Sequence, residues 1–226
     1  MFSEEVLNEF FGSLLGKSIT AVVTIILIGL FVINLHKKKN LSVKAIAYSG
    51  IAIALATILS YIRLFQLPQG GSITPFSMLF IVLVGYWFGP FEGIIAGITH
   101  GTLQLLIDGY VVHPAQLLLD YPLAFGALGL SGFFRKGQKS IIPGYIVGST
   151  GRFICSFLSG WIFFGSYAWE GYSAVAYSFL YNLSYIGIEM ALTLVILFIP
   201  SFRKALNHIR NTVVINESSL TEKKAA

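Results

Sequence analysis

Long apolar runs separated by short polar loops limit this chain more than any other feature of its sequence. Only 11% of its 226 residues are charged and 55% are hydrophobic, whereas a soluble domain carries about a quarter charged residues. A helix needs roughly 20 mainly apolar residues to cross a bilayer, so about six or seven spans fill the chain. We therefore predict an all-α fold, a polytopic membrane helical bundle with no separate extramembrane catalytic domain.

Seven runs qualify as candidate spans. They cover residues 19–35, 45–62, 76–88, 94–107, 117–134, 141–165 and 177–199. The third and fourth runs are separated only by residues 89–93, so they form either short or tilted helices with a tight turn, or one broken hairpin. The pattern divides the chain into an additional amino-terminal anchor helix (1–40), a six-helix membrane domain (41–210) and a polar, disordered cytoplasmic tail (211–226).

The first run ends at three lysines, Lys37, Lys38 and Lys39, as expected of a span that is stopped on its cytoplasmic side. A cleaved signal peptide is the rival interpretation. Against it, the acids Glu4 and Glu5 precede the run, where a signal peptide needs basic residues, and no small-residue cleavage pattern follows. We interpret the run as an anchor.

The distribution of basic residues predicts the orientation, because Lys and Arg near span ends stay in the cytoplasm. With the amino terminus outside and the carboxyl terminus cytoplasmic, only Lys17 and Arg63 of the 15 Lys and Arg residues fall outside, and Arg152 falls within a span. We predict a multi-pass protein of the plasma membrane. The net charge of +5 follows from this topology, so no nucleic-acid partner is expected.

Three charged residues within the apolar runs are the first candidates for function, because charge inside hydrocarbon costs a few kcal/mol. Asp120 is either a carboxylate near a helix start, stabilised by the helix dipole, or an anion that awaits a cationic ligand. Arg152 and Glu189 lie in different spans, and pairing with each other would neutralise their burial. Neither of these two is assigned to a substrate.

Aromatic residues make up 15% of the chain, and belts at the two membrane interfaces explain most of them. A denser group crowds the last two runs and their external connection: Phe163, Phe164, Tyr167, Trp169, Tyr172, Tyr177, Tyr181 and Tyr185. Ring faces near an external carboxylate suit a flat cation. Asn182 adds a donor and an acceptor there, whose partners are either a ligand or a neighbouring helix.

The second run carries small residues at helical spacing, Gly50 with Ala54 and Ala52 with Ala56. Small residues four apart allow helices to approach closely in lipid. This face therefore either packs within the chain or docks onto another membrane subunit.

Signatures of covalent chemistry are sparse. His100, His113 and His208 show no metal-ligand spacing, and there is no phosphate-binding glycine loop. The single cysteine, Cys155, allows no disulfide within one chain. The sequence predicts a binding protein rather than an enzyme, without a metal or other cofactor.

Three stretches resemble the ThiT-type thiamine-binding S components of energy-coupling factor (ECF) importers. They are Leu-Pro-Gln-Gly-Gly-Ser at 67–72, Leu-Leu-Asp-Tyr-Pro-Leu-Ala-Phe-Gly at 118–126, and the stretch 152–182, within a likeness that covers 41–210. The resemblance implies a six-helix subunit that binds a vitamin from outside. It also implies docking through the first of these helices, by Gly50, Ala52, Ala54 and Ala56, onto a transmembrane coupling subunit driven by two ATPase subunits.

The same resemblance implies a set of substrate-binding residues. An acid beside a Tyr faces the thiazolium cation and falls here on Asp120 and Tyr121. The full set is Tyr110, Asp120, Tyr121, Ser156, Gly160, Phe164, Tyr177 and Asn182. Ser156 stands where the family has His, and Phe164 stands where it has a stacking Trp.

The function that these residues predict is capture of thiamine by an S component embedded in the lipid bilayer. One alternative is a solitary thiamine carrier driven by an ion gradient, which would need an intramembrane ion site such as Glu189. Another is an S component for a different vitamin. A membrane enzyme acting on lipid-linked substrates would need clustered acids or a nucleophile with its base, and the sequence offers neither.

Overall fold

The computed structural model of the chain describes residues 42–135 and 141–225, with side chains up to Val213, and six isolated positions before residue 17. The predicted anchor span at 19–35 lies outside the described residues.

Seven helices make up the two long described segments, and they confirm the predicted all-α membrane bundle. They are α1 Val43–Tyr61, α2 Ser77–Phe88, α3 Pro90–Asp108, α4 Pro114–Phe134, α5 Ile141–Phe163, α6 Ala174–Phe198 and α7 Pro200–Ala225. A short antiparallel hairpin, β1 Phe65–Gln66 and β2 Ser72–Ile73, lies between α1 and α2.

Among the described helices, α1, α4, α5 and α6 are long and apolar enough to cross a membrane. The 12 residues of α2 give about 18 Å of helix, which is shorter than a hydrocarbon core of about 30 Å. All of them except Phe80 are buried. The runs predicted at 76–88 and 94–107 are therefore separate helices, and the tight turn between them lies at Gly89, whose φ of 132° favours glycine.

Glycines bring α2, α3 and α4 into backbone contact. A Cβ atom added at Gly93 would meet the backbone of Gly85 and Gly129, and one added at Gly101 would meet the carbonyl of Tyr121. Such small residues let helices approach closely in a membrane. This packing fixes the position of α4 against α2 and α3.

Two of the membrane-crossing helices contain a widened π turn. In α4 it covers Leu119–Leu123 and includes Pro122, and in α6 it covers Leu183–Gly187. A proline cannot donate a backbone hydrogen bond, which favours an irregular turn at its position. Single π turns inside α-helices occur frequently at functional sites.

The small residues of α1 divide between two faces. Ala52 and Ala56 are 4% and 0% exposed in the core of the chain itself. Gly50 and Ala54 are exposed, and a Cβ atom added at Gly50 would meet nothing within 4 Å. The two pairs lie on different faces because two residues along a helix correspond to a rotation of about 200°. Of the four residues predicted to dock, only Gly50 and Ala54 are accessible in this structure, and docking onto a partner stays a prediction.

The carboxyl-terminal segment is helical where the sequence predicted a disordered tail from residue 211. The backbone of α7 runs from Pro200 to Ala225, since no glycine or proline after Pro200 interrupts it. Its first half packs on the bundle through the buried Leu206 and Val213. The Tyr86 hydroxyl donates a hydrogen bond of 2.8 Å to Asn207 Oδ1.

Candidate ligand-binding site

A cavity of about 130 Å³ lies between α3, α4, α5, α6 and the hairpin segment 65–73. All the residues predicted to bind substrate line this cavity: Tyr110, Asp120, Tyr121, Ser156, Gly160, Phe164, Tyr177 and Asn182. The fold therefore brings together the whole predicted set, and their contact with a ligand stays a prediction.

Asp120 lies in the π turn of α4 and is held through one of its two oxygens. Gln116 Nε2 and Ser159 Oγ each donate a hydrogen bond of 2.7 Å to Oδ2. None of the described residues donates a hydrogen bond to Oδ1. A carboxylate can accept about four hydrogen bonds, so Asp120 retains acceptor capacity and negative charge on the wall of the cavity.

Gln116 is a residue of this site that sequence reasoning missed. It is 1% exposed, and besides Asp120 it bonds the backbone of the preceding segment, donating to Tyr110 O at 3.1 Å and accepting from Val112 N at 3.1 Å. Its position four residues before Asp120 places both side chains on one helical face. That spacing would have identified it.

Tyr110 and Tyr121 support the same wall. The Tyr110 backbone N–H donates to the Tyr121 hydroxyl at 2.7 Å. The Tyr110 hydroxyl lies 3.0 Å from that of Tyr167, and its ring centroid is 6.0 Å from that of Phe164. The segment between α3 and α4 is thereby fixed next to the carboxyl-terminal end of α5.

Asn182 and Gly160 line the cavity, but their contacts join α5 to α6. Asn182 Nδ2 donates to Ser156 O at 3.2 Å and Ser178 O at 2.8 Å, while its Oδ1 accepts from Tyr185 Oη at 2.9 Å. A Cβ atom added at Gly160 would meet the Ser178 side chain. Of the two partners considered for Asn182, the structure shows the neighbouring helix.

The hairpin segment covers one side of the cavity and is held by tyrosines of α6. The Tyr181 hydroxyl donates to Pro68 O and accepts from Gly71 N, the latter at 3.0 Å. The Tyr177 hydroxyl donates to Gln69 Oε1 at 3.4 Å. Gln69 itself has a φ of 58°, a left-handed conformation that is uncommon outside glycine. Tyr181 belonged to the predicted aromatic group but not to the predicted site.

An ion pair between Arg63 and Asp108 lies on the rim of the cavity. Their side chains are 28% and 54% exposed. Exposed pairs contribute little to stability, so this pair marks the edge of the cavity rather than a structural anchor.

Arg152 and Glu189 do not form the ion pair that the sequence suggested. Glu189 Oε1 accepts from Ser77 Oγ at 2.9 Å and Met78 N at 3.0 Å, and Oε2 accepts from Thr74 Oγ1 at 2.8 Å. The Arg152 guanidinium carbon lies 4.2 Å from the centroid of the Phe125 ring. The pairing hypothesis is wrong because donors in the segment 74–78 satisfy Glu189.

Comparison with known proteins identifies relatives over the same region. A family model described as "Thiamine transporter protein (Thia_YuaJ)" matches residues 46–208. "Thiamine transporter ThiT" of Bacillus subtilis (strain 168) is 33% identical over 173 residues, which are 68% of this chain and 90% of that relative. A protein of the same name from Lacticaseibacillus paracasei is 30% identical over 118 residues, 45% of this chain and 59% of its own length.

A solved structure supports the fold. ThiT from Listeria monocytogenes matches with a TM-score of 0.59 at 24% identity, covering 70% of this chain and 96% of that one. The named relatives are transporters, which confirms the prediction that the chain is not an enzyme. Since the family model spans nearly all of the region from α1 to the first half of α7, this chain belongs to the thiamine transporter family of multi-pass membrane proteins.

Proposed function

We propose that this protein is the substrate-binding subunit of an ECF-type importer. In this proposal it captures thiamine outside the cell and delivers it across the plasma membrane with a transmembrane coupling subunit and two ATPase subunits. The amino terminus is outside and the carboxyl terminus is cytoplasmic. Membership of the thiamine transporter family supports thiamine uptake, and the ECF assembly is inferred from the sequence resemblance.

The observation that carries the proposal is the half-satisfied carboxylate of Asp120. Thiamine has a fixed positive charge on its thiazolium ring, and it can approach the Oδ1 atom without displacing Gln116 or Ser159 from Oδ2. Opposite charges in contact at an intermediate dielectric attract by about 4 kcal/mol before desolvation is subtracted. A neutral vitamin would gain no charge–charge attraction from this group, and an anionic vitamin would be repelled by it.

Aromatic walls suit the rest of such a ligand. Phe164 and Tyr177 are 8% and 3% exposed and line the cavity beside Tyr110 and Tyr121. Ring faces attract cations and cover flat heteroaromatic rings. We propose that these rings, with Ser156, Gly160 and Asn182 on the adjoining helices, enclose the two rings of thiamine.

The alternative of a solitary carrier driven by an ion gradient has less support. Its candidate ion site, Glu189, is 2% exposed, and both of its oxygens accept hydrogen bonds from the segment 74–78. A proton or sodium ion binding there would have to break this arrangement. Purified protein in liposomes should therefore show no thiamine accumulation when a proton or sodium gradient is applied.

Calorimetric titration of the purified protein tests the choice of substrate. Thiamine should bind, whereas riboflavin, biotin and folate should bind weakly or not at all. A preference for a neutral or anionic vitamin would contradict the thiamine assignment.

Transport tests the assembly, with Gly50 and Ala54 on the exposed face of α1 as the proposed docking residues. Gly50→Leu or Ala54→Leu should abolish uptake in cells that carry the whole complex and leave thiamine binding unchanged, because a bulky side chain holds a partner helix away. Leu64→Ala, at an exposed position beyond α1, is the control and should transport normally. Normal uptake by both leucine variants would refute the docking assignment.

A further inference from the structure

The ion pair at the rim of the cavity joins the region after α1 to the end of α3. Arg63 follows the last residue of α1 by two positions, and Asp108 is the last residue of α3. Both side chains line the cavity and are partly exposed. The pair therefore places one positive and one negative charge at the mouth of the cavity.

Neutral contacts already join α1 to α3 further from the rim. Gln104 Nε2 donates a hydrogen bond of 2.7 Å to Ser60 Oγ, about one helical turn away from the ion pair. A further turn away, the Thr57 hydroxyl lies 3.2 Å from His100 Nδ1. Exposed ion pairs contribute little to stability, so holding α1 against α3 does not explain the two charges at the rim.

Neither charge is favoured by its local position. Asp108 lies at the carboxyl-terminal end of α3, where the helix dipole disfavours an acid. Arg63 is one of only two basic residues that fall outside the membrane in the predicted orientation, whereas Lys and Arg near span ends stay in the cytoplasm. Because these charges serve neither the helix nor the topology, a role at the cavity is the better explanation for them.

The ion pair uses only part of the hydrogen-bonding capacity of Arg63. Its Nη2 atom donates to Oδ2 of Asp108, and in the described part of the chain no acceptor is bonded to its Nε or Nη1 atom. A guanidinium group has five N–H donors, and it can bind a phosphate through two parallel hydrogen bonds. Arg63 would therefore attract an anion if Asp108 did not neutralise its charge.

The rim adjoins the part of the cavity that contains Asp120. Tyr121 follows Asp120 in α4, and its hydroxyl accepts a hydrogen bond of 2.7 Å from the backbone N–H of Tyr110, two residues after Asp108. A thiazolium ring at Asp120 would thus have the ion pair as a neighbour. The side arm of thiamine is attached to this ring and ends in an alcohol, which can carry a phosphate ester.

We propose that the Arg63–Asp108 pair determines specificity for the side arm of the ligand: Asp108 neutralises Arg63 and so prevents it from binding an anionic substituent there. This inference rests on the proposed function. A phosphate ester adds a charge of about −1.5 to −2 at pH 7. The neutral pair accepts the free alcohol and gives the charged ester no net attraction.

Calorimetric titration with thiamine and with its phosphate monoester tests this inference as a double-mutant cycle. The readout is the ratio of the two dissociation constants for each variant. Asp108→Asn leaves Arg63 unneutralised and should shift the ratio about 5-fold towards the ester, the scale of a partly exposed charge pair. Arg63→Gln leaves Asp108 unneutralised and should shift the ratio by a similar factor towards thiamine. The double variant makes the rim neutral again and should return the ratio to within about 2-fold of the unaltered chain.

Glu170→Gln is the matched control, since Glu170 is exposed in the connection between α5 and α6 and does not line the cavity. It changes the net charge by the same amount as Asp108→Asn and should leave the ratio within about 2-fold. The inference is overturned if the two single variants leave the ratio unchanged or shift it in the same direction. It is also overturned if Glu170→Gln shifts the ratio as much as Asp108→Asn.

The design separates this inference from the stability of the variants and from the proposed function. Both ligands are measured on the same folded protein, so their ratio does not depend on stability. Thiamine binding with an unchanged ratio in the single variants would refute the inference alone. Absence of thiamine binding by the unaltered chain would refute the proposed function and this inference with it.

Discussion

Two carboxylates lie inside the same helical bundle, and their surroundings differ. Glu189 is 2% exposed, and three donors from the segment 74–78 occupy both of its oxygens. Asp120 lines a cavity and has two donors on one oxygen, while none of the described residues donates to the other. The number of occupied oxygens, rather than burial, separates an acid that holds the fold together from one that is available to a ligand.

The Glu189 cluster has a clear structural purpose. Helix α2 begins after Phe76, whose φ of 62° places a non-glycine residue in the left-handed region, and no side chain of the N-cap residue itself bonds the helix. The carboxylate from α6 bonds Met78 N and so satisfies one of the free amide groups of the first turn, where negative charge is also favourable. Glu189 thereby fastens α2 to α6 across more than a hundred residues of sequence.

Removing the carboxylate of Glu189 should have the largest effect, and the effect should be on stability. Glu189→Ala removes the acceptor of the Thr74 and Ser77 hydroxyls and of the Met78 amide. The two hydroxyls lie 2.8 Å apart, so one can donate to the other, and two buried donors are left unsatisfied at a cost of about 1–3 kcal/mol each. We expect the free energy of unfolding in detergent to fall by about 3 kcal/mol or more. Thiamine affinity of the protein that remains folded should change less than about 3-fold. If Glu189→Ala lost thiamine affinity without losing stability, Glu189 would be a binding residue and its structural assignment would be wrong.

Neutralising Asp120 should weaken thiamine binding and leave stability nearly unchanged, the opposite of the effect expected for Glu189. Asp120→Asn keeps the shape of the side chain and removes its charge, so we expect a loss of about 2 kcal/mol in thiamine binding, roughly 30-fold in Kd, and little change in thermal stability. The control is Asp108→Asn at the rim, which is half-exposed and paired with Arg63 and should cost less than about 3-fold. Unchanged affinity in a calorimetric titration of Asp120→Asn would remove Asp120 from the site.

Removing one of the two hydrogen-bond donors to Asp120 should have a smaller effect on thiamine binding. Ser159→Ala removes one of its two donors, which is worth about 1 kcal/mol, so the carboxylate is less well oriented and thiamine affinity should fall about 5-fold. Ser149→Ala, at a buried position of the same helix outside the cavity, should leave the affinity unchanged. Equal effects of the two variants in fluorescence titrations would show that the orientation of Asp120 does not matter.

Truncation of the aromatic walls should weaken thiamine binding by no more than the loss of the Ser159 donor. We expect Tyr177→Ala to lose about 1 kcal/mol of binding free energy and Phe164→Ala less, because the Tyr177 hydroxyl also bonds Gln69 of the hairpin segment. Tyr177→Phe measures how much of the lost binding free energy is due to the hydroxyl. Quenching of tryptophan fluorescence by thiamine provides the readout, with Trp169 in contact with Tyr177 at 5.2 Å between ring centroids. A larger loss in Phe164→Ala would contradict this ranking.

The sequence predicted the membrane-crossing helices well, because their length and hydropathy are local properties. The run 117–134 became Pro114–Phe134, and the run 45–62 became Val43–Tyr61. It could not predict that α2 is buried except at Phe80, since an apolar run has the same composition whether it faces lipid or protein. For the same reason, the sequence did not show which small residues of α1 face the core of the chain and which face outward.

The hydrogen-bond partners of the two acids differ in how well the sequence predicts them, because they lie at different distances along the chain. Gln116 is four residues from Asp120, so helical spacing points to it. Thr74 is 115 residues from Glu189, and no local pattern connects them, which is why pairing with Arg152 looked equally reasonable. Long-range partners of this kind depend on how helices pack, and a single sequence does not contain that information.

The π turn at Leu119–Leu123 has a consequence for how this protein is compared with its relatives. A widened turn holds one residue more than a regular turn, so the two halves of α4 are out of step by about 100° of rotation. The half before the turn carries Gln116, and the half after it carries Gly129, which lies against α3. Where a related helix is regular throughout, a correct alignment needs a one-residue gap within this turn, and a gap placed elsewhere would match Asp120 with a residue on the wrong face.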